Sequence, residues 1–206
     1  DLFINLQHDS VTEYRRSLKL NDAITSVKYK MEGHEVTQDA FVSAPDQLLI
    51  IRLRSEHPKG LNGSIQLSRP KDDGVATAKT FTKKGSLIME GEVTQREGAF
   101  ESKPNPILEG IQFQTIVKPN HQGGTVKTFE NGIELEGVKE IELRIVSNSS
   151  YYHENYKSEN IKQLNRAENY SFEDLKSRHI KDHQILFNRV DFDIITDNKL
   201  QMIPTD

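Results

Sequence analysis

The stretches Tyr14–Ala23 (YRRSLKLNDA) and Val36–Gln47 (VTQDAFVSAPDQ) decide the fold of this sequence. Apolar and polar residues alternate along both, and the side chains of a β-strand point alternately to the two faces of a sheet. The alternation continues over Ile24–Met31 and His34–Phe41, which flank a turn at Glu32-Gly33. Two alternating runs around a short turn are typical of a β-hairpin. The sequence therefore predicts antiparallel strands joined at Gly33.

Further strand signals follow along most of the chain. The dense apolar run Gln47–Arg54 is typical of a central strand buried on both faces. Asn131-Gly132 between two alternating runs favours a second hairpin. Glycines and a proline between 58 and 63 interrupt the pattern, and residues 69–85 are predicted to form a long, mobile surface loop. The remaining predicted strands are Leu2–Leu6, Ser64–Ser68, Ser86–Val93, Ile111–Lys118, Thr125–Glu130, Gly132–Glu136 and Glu140–Ser147. About ten short strands with regular turn signals predict a mainly β fold, an antiparallel β-sandwich.

The pattern becomes helical near Ser171. Ser171 and Asp174 match the S-x-x-D capping box that begins a helix. From Leu175 to Val190 the residues that would share one helix face recur at three- and four-residue spacing. This spacing predicts a helix over about 171–190. Before it, Ser147–His153 form a polar, aromatic segment that ends the last strand, and residues 151–206 are predicted to be a linker that contains this one helix. We expect an apolar flank of the helix to be packed on the sandwich or unusually exposed, and its members are Leu175, Ile180, Leu186, Phe187 and Val190.

The composition excludes several classes of function. The 206-residue chain has a formal net charge of −4 and a pI near 6.0, so it lacks the basic footprint of a nucleic-acid-binding protein. No apolar run approaches the roughly 18 residues of a membrane-spanning helix. Without cysteine, disulfides and thiolate metal sites are excluded. Because Asp1 leads directly into an alternating run, we expect the chain to begin inside a domain, with earlier strands missing.

These stretches together resemble the N-terminal β-sandwich of the family-95 glycoside hydrolases, the inverting α-L-fucosidases. The pattern of that family runs roughly YRRxLDLxA and then FxSxPDQV, and this chain departs from it at Lys19 and Leu48. The segment Tyr170–Val190 resembles the linker helix of the family, and Ile203–Asp206 matches the start of its PTDERL segment. The resemblance therefore extends over nearly the whole chain.

The resemblance implies a domain organisation and a function. Residues 1–150 would form a β-sandwich of the super-sandwich type, and residues 151–206 a linker whose C-terminal α-helix leads to an (α/α)6 catalytic barrel absent here. The chain would be a non-catalytic N-terminal domain that packs against the barrel of the same parent chain, which binds the fucosylated glycan substrate. Because the barrel carries the catalytic groups of the family, we expect no catalytic, cofactor-binding or metal-binding residue in this chain. The parent enzyme would be secreted or periplasmic.

Three alternatives remain open from the sequence. The parent could be an α-L-galactosidase, since the same family fold serves both sugars. The chain could be a stand-alone carbohydrate-binding β-sandwich, although it has no tryptophan for a stacking platform. It could also be a structural or interaction module. We further expect an open sheet edge, through which this fragment could form a homodimer.

His179 and His183 are the candidates for a metal site. They stand four residues apart on the predicted helix, which places two imidazoles on one face. A metalloprotease motif would have glutamate directly after the first histidine, but Ile180 stands there. The favoured interpretation is that both histidines pack against, or hydrogen-bond to, the sandwich or the barrel.

Asp46 and the Arg15-Arg16 pair are the other polar candidates. Asp46 follows Pro45 and is interpreted as a turn residue rather than a general acid. Adjacent arginines on a strand point to opposite faces, so they cannot grip one anion together. One of the two is therefore predicted to form a buried or interfacial ion pair.

Overall fold

The computed structural model describes residues 1–8, 10–71, 77–95 and 108–191. Within these ranges the chain forms a β-sandwich followed by helices, as predicted. The strands are β1 Leu2–Leu6, β2 Val11–Lys19, β3 Ile24–Met31, β4 His34–Ser43, β5 Leu48–Ser55, β6 Leu61–Leu67, β7 Ala78–Lys83, β8 Ser86–Gln95, β9 Leu108–Gln122, β10 Thr125–Phe129, β11 Gly132–Val138 and β12 Glu140–Ser149. The helices are α1 Tyr156–Ala167 and α2 Phe172–Phe187.

The strands form two antiparallel sheets. The large sheet has the order β2-β3-β4-β5-β12-β9-β8-β7, and the small sheet has the order β1-β6-β11-β10. The predicted hairpin at Glu32-Gly33 joins β3 to β4, and both turn residues have positive φ, 49° and 83°. Such a turn matches the twist of the flanking strands. An open edge is present as expected, because β2 is an outer strand with all of its residues exposed.

Two apolar cores divide the molecule into three layers. The first lies between the sheets and contains Val36, Leu53 and Ile133. The second lies between the other face of the large sheet and the two helices, where Ile50 meets Leu175. Each of these fully buried side chains contributes about 1.5–3 kcal/mol. The predicted central strand is β5, which supplies Ile50 to one core and Leu53 to the other.

Two predictions about glycines and loops were wrong in detail. Residues 69–85 are not one loop, because they contain strand β7, which pairs with β8. Residues 72–76 of the predicted loop lie outside the described residues. Gly63 does not interrupt a strand but lies inside β6, where a Cβ would come 2.1 Å from the Asn5 carbonyl oxygen of β1. The second hairpin forms as predicted, with Gly132 paired to Phe129.

Helix α1 lies in the segment predicted to be a linker. Its inner face is polar as well as apolar, because Asn160 and Gln163 are buried beside Leu164. The Asn160 side chain donates to the Gln114 backbone carbonyl at 2.9 Å, and Asn148 donates to Gln163 at 2.9 Å. A hydropathy pattern counts an amide side chain as polar even where it is buried and hydrogen-bonded. The inner face of this helix was therefore not recognised from the sequence. Neither helix in the described part of the chain is long and apolar enough to cross a membrane.

Candidate functional site: the helix side of the large sheet

Arg144 of β12 fastens the α1–α2 connection to the sheet. Its Nε donates to Glu142 at 2.5 Å, and its two terminal nitrogens donate to the carbonyls of Ala167 and of Tyr170, the latter at 2.9 Å. Arg144 and Glu142 are only 8% and 6% exposed. The last carbonyls of a helix lack partners and carry partial negative charge, so the guanidinium caps α1. The connection is thereby fixed to the sheet.

Arg52 of β5 fastens the first turn of α2. Its Nη1 donates to Glu173 at 2.8 Å, and its Cζ lies 3.4 Å from the centroid of the Phe172 ring, a cation–π contact. Phe172 also meets Phe41 edge-on, with ring centroids 5.5 Å apart. The start of α2 is thus held by one guanidinium through both charge and ring contact.

The capping box predicted at the start of α2 is confirmed. The Asp174 backbone N–H donates to the Ser171 hydroxyl at 3.1 Å, and the Ser171 backbone N–H donates to the Asp174 carboxylate at 3.0 Å. The hydrogen bonds from Ser171 hold the pKa of Asp174 below its usual value. Two of the unpaired donors at this helix end are therefore satisfied.

His179 and His183 hold α2 to the β2–β3 turn. His179 Nε2 lies 2.9 Å from the Asp22 carbonyl oxygen, and His183 Nε2 lies 2.8 Å from that of Leu20. Because a carbonyl only accepts, each Nε2 carries the hydrogen and donates it. The His179 ring also stacks on Phe41 at 4.9 Å between centroids. Among the described residues no three His, Asp or Glu side chains gather as a metal site, and the interpretation of these two as packing histidines is confirmed.

Asp46 lies in a turn between β4 and β5, as predicted, and forms a contact with α2. Its carboxylate accepts from the Ser43 hydroxyl at 2.6 Å and from Arg178 Nε and Nη2 at 3.0 and 2.9 Å. The Asp46 carboxylate raises the pKa of Arg178. A carboxylate engaged by two guanidinium nitrogens has little capacity to act as a general acid.

Arg15 and Arg16 lie on the outer strand β2. Both are exposed, so the buried form of the predicted ion pair was wrong, and the interfacial form stays a prediction. The reason is that β2 is an outer strand on which neither the small sheet nor the helices bury a residue. Arg15 pairs in register with Lys28 of β3 and points to the helix side of the large sheet.

A polar face occupies the helix side of the large sheet beyond the start of α2. It consists of two cross-strand rows that span six strands. The first row is Arg15, Lys28, Thr37, Arg54, Glu140 and Gln122. The second row is Ser17, Ser26, Asp39, Arg52, Glu142 and Asn120. Grooves of about 670 and 330 Å³ lie over this face, and Arg52 and Arg54 line both.

An apolar end is formed where α2 emerges from the sheet. Its exposed side chains are Leu20, Ile185, Leu186, Phe187 and Val190. Leu186 of α2 and Val190 beyond its end are 62% and 75% exposed, whereas Leu175 of α2 is 0% exposed. Phe187 stacks on His183, which bonds to the backbone carbonyl of Leu20, so this imidazole links the end of α2 to the turn. The expected apolar flank is therefore packed in the first half of α2 and exposed in the second.

The fastening arginines were missed by the sequence analysis. Arg52 directly follows the apolar run Leu48–Ile51 of β5, and Arg144 stands between Leu143 and Ile145 of β12. A charge inside a buried strand requires a partner. That signal was available, but the partners lie far away in the sequence and could not be identified from it.

Comparison with known proteins assigns this architecture to a family. Residues 1–154 match the family described as glycosyl hydrolase family 65, N-terminal domain, and the chain belongs to that family. Alpha-L-fucosidase 2 from Arabidopsis thaliana is 24% identical over 213 residues, covering 91% of this chain and 25% of that protein. The predicted class, the N-terminal domain of a glycoside hydrolase, is confirmed at this level.

A solved structure shows the same fold. A putative kojibiose phosphorylase from the human microbiome superimposes with a TM-score of 0.58 at 13% identity, over 90% of this chain and 27% of its own. The chain thus spans about a quarter of the length of either protein. The matched family is described as an N-terminal domain, in agreement with this partial coverage.

Proposed function

We propose that this chain is the non-catalytic N-terminal domain of a glycoside hydrolase that resembles the inverting α-L-fucosidases of family 95. In this role it packs against the (α/α)6 catalytic barrel of the same polypeptide and supports it. The similarity to an α-L-fucosidase over 91% of the chain supports the sugar specificity. The observation that carries the supporting role is the apolar end.

The apolar end has the properties of a protein-docking surface. Exposed contiguous apolar side chains rimmed by polar residues mark interaction sites. Arg52 and Asp46 hold the first half of α2 to the sheet, and His179 and His183 hold the helix to the β2–β3 turn, so the exposed side chains at its end stand on a fixed base. A partner docked there would keep a defined orientation to the sandwich.

The carboxylates of the polar face support a non-catalytic role. An inverting glycosidase needs a free acid and a free base about 6.5–9.5 Å apart. Glu140 pairs with Arg54, and Glu142 pairs with Arg144. The guanidinium groups occupy oxygens of these carboxylates. The chemistry is therefore assigned to the barrel.

The proposal is tested on the parent polypeptide. Leu186→Asp with Phe187→Asp places two charges on the apolar end, and Ser158→Asp with Asn165→Asp places two on the exposed side of α1 as a matched control. We expect the first pair to lower the midpoint of thermal inactivation of aryl α-L-fucoside hydrolysis and the control to leave it unchanged. Equal midpoints for both pairs would refute the docking role. A faster rate on the aryl α-L-galactoside would refute the fucosidase assignment.

A further inference from the structure

We propose that the polar face is a binding site for a neutral oligosaccharide. This site is separate from the apolar end and goes beyond the supporting function proposed above. Six strands about 4.8 Å apart give each polar row a length of about 24 Å. The two rows form an extended polar strip, with the grooves of about 670 and 330 Å³ above it. A strip of this shape fits a chain of sugar rings lying across the strands.

Two amide side chains on the polar face are free to bind a ligand. Asn120 and Gln122 are exposed, line the larger groove, and have no side-chain hydrogen bond to any described residue. An amide offers two donors and an acceptor in one plane. Adjacent sugar hydroxyls present matching acceptors and donors. Asn120 and Gln122 alternate along β9, so their Cα atoms lie about 6.6 Å apart on one face.

The charges beside these amides are already compensated. Arg54 lies between Thr37 and Glu140 in register and pairs with Glu140. Arg52 lies in register between Asp39 and Glu142, and Lys28 pairs with Glu35. Paired side chains keep further donor and acceptor positions for hydroxyl groups but attract no net charge. A neutral ligand therefore fits better than an anionic one.

The same chemistry argues against a protein as the occupant of the polar face. The core of a protein interface is depleted of charged residues and enriched in aromatic and apolar ones. The polar face is rich in charged residues, whereas the nearby apolar end consists of aromatic and aliphatic side chains, as the core of a protein interface does. The margin of the larger groove is the α1–α2 connection, which includes Tyr170 and is fixed by Arg144. The site therefore has a rigid wall on one side.

Titration of the 206-residue chain with 2′-fucosyllactose and with kojibiose, followed by backbone amide NMR shifts, tests the site. We expect saturable shifts at millimolar sugar in β5, β9 and β12 and in the α1–α2 connection. Asn120→Ala with Gln122→Ala should reduce the affinity at least tenfold. Asn5→Ala, on the exposed outside of β1 in the small sheet, is the matched control and should leave the affinity unchanged.

Three results would overturn the proposal. They are an absence of saturable shifts with both sugars, shifts confined to another surface, and equal affinities for the double variant and the wild-type chain. An unchanged spectrum of free Asn120→Ala with Gln122→Ala, away from the substituted positions, shows that the variant is folded. Failure of this titration leaves the docking role of the apolar end intact, because that role is measured on the parent polypeptide.

Discussion

The polar face and the apolar end lie on the same side of the large sheet but differ in chemistry. The polar face presents amides and charged side chains, most of them paired, on six strands, whereas the apolar end exposes aliphatic and aromatic side chains at the end of α2 and in the β2–β3 turn. Covering apolar surface with a protein lowers the free energy, because the surface is removed from water. Planar polar groups are instead stabilised by hydrogen bonds to hydroxyl groups. One side of a sheet can therefore serve two different occupants.

The boundary between the two surfaces is set by the fastening of α2. Arg144, Arg52 and His179 hold the connection and the first half of the helix against the sheet. Without them the helix could slide over the polar rows. The separation of the polar face from the apolar end therefore depends on buried polar side chains, and each of them can be substituted singly.

The largest effect is expected at Arg144. Arg144→Ala leaves Glu142 buried without its partner and removes the cap of α1, so we expect the free energy of unfolding to fall by about 3–5 kcal/mol. Urea denaturation measures it. Arg54→Ala, which breaks the more exposed pair with Glu140, should cost less than about 1 kcal/mol. Similar losses in the free energy of unfolding for both variants would show that the contacts of Arg144 stabilise the fold no more than an exposed ion pair does.

The two halves of α2 should respond differently to the same truncation. Leu175→Ala creates a cavity in the second core and should cost about 2–5 kcal/mol. Leu186→Ala in the isolated chain should cost about 0.5 kcal/mol or less, because the side chain is exposed. Thermal or urea unfolding gives both values. A large loss for Leu186→Ala would mean that the apolar end is already covered within this chain.

The capping box gives a smaller effect. Ser171→Ala removes the acceptor for the Asp174 backbone N–H and should lower the free energy of unfolding by about 1 kcal/mol. Ser177→Ala, an exposed substitution on the same helix, is the control and should be nearly neutral. Equal unfolding midpoints for the two variants would contradict the assigned role of the cap.

The smallest expected effect is a pH dependence through His8. Burial lowers the pKa of His8, whose Nδ1 is buried without a hydrogen-bond partner among the described residues and whose Nε2 lies 2.6 Å from the Tyr29 hydroxyl. The unfolded chain therefore binds the proton more readily than the folded one. The contribution of His8 is complete above a pH of about 6.5 and is lost as the pH falls from there towards the folded pKa.

His8→Gln should make the free energy of unfolding less dependent on pH between about pH 7.5 and 5. His153→Gln, at an exposed position, is the control and should keep the wild-type slope. Urea denaturation across this range gives both slopes. A wild-type slope in His8→Gln would show that another group carries the dependence.

Homodimer formation remains a prediction for the isolated chain. The outer strand β2 is exposed, but it carries Arg15, Lys19 and a bulge near Glu13, features that limit pairing between edges. The apolar end is the better candidate for self-association. Light scattering at high concentration tests it, and a monomer throughout would show that neither surface pairs in isolation.

Local signals explain what the sequence could predict. The hairpin at Gly33, the doubly buried β5 and the capping box of α2 each depend on residues within one short segment. Helix α1 could not be predicted in this way, since Asn160 is buried by contacts with β9. The polar face depends on the register of six strands, and no local pattern encodes which residues lie opposite one another.

Amide hydrogen exchange of α2 tests the division between the two surfaces most directly. The isolated chain is compared with the parent polypeptide that carries the catalytic domain. We predict that amides of residues 183–190 exchange more slowly in the parent polypeptide because the barrel covers the apolar end, while those around Asn120 and Gln122 in β9 are unchanged. Equal exchange at 183–190 in both proteins, or new protection confined to the polar face, would contradict the account.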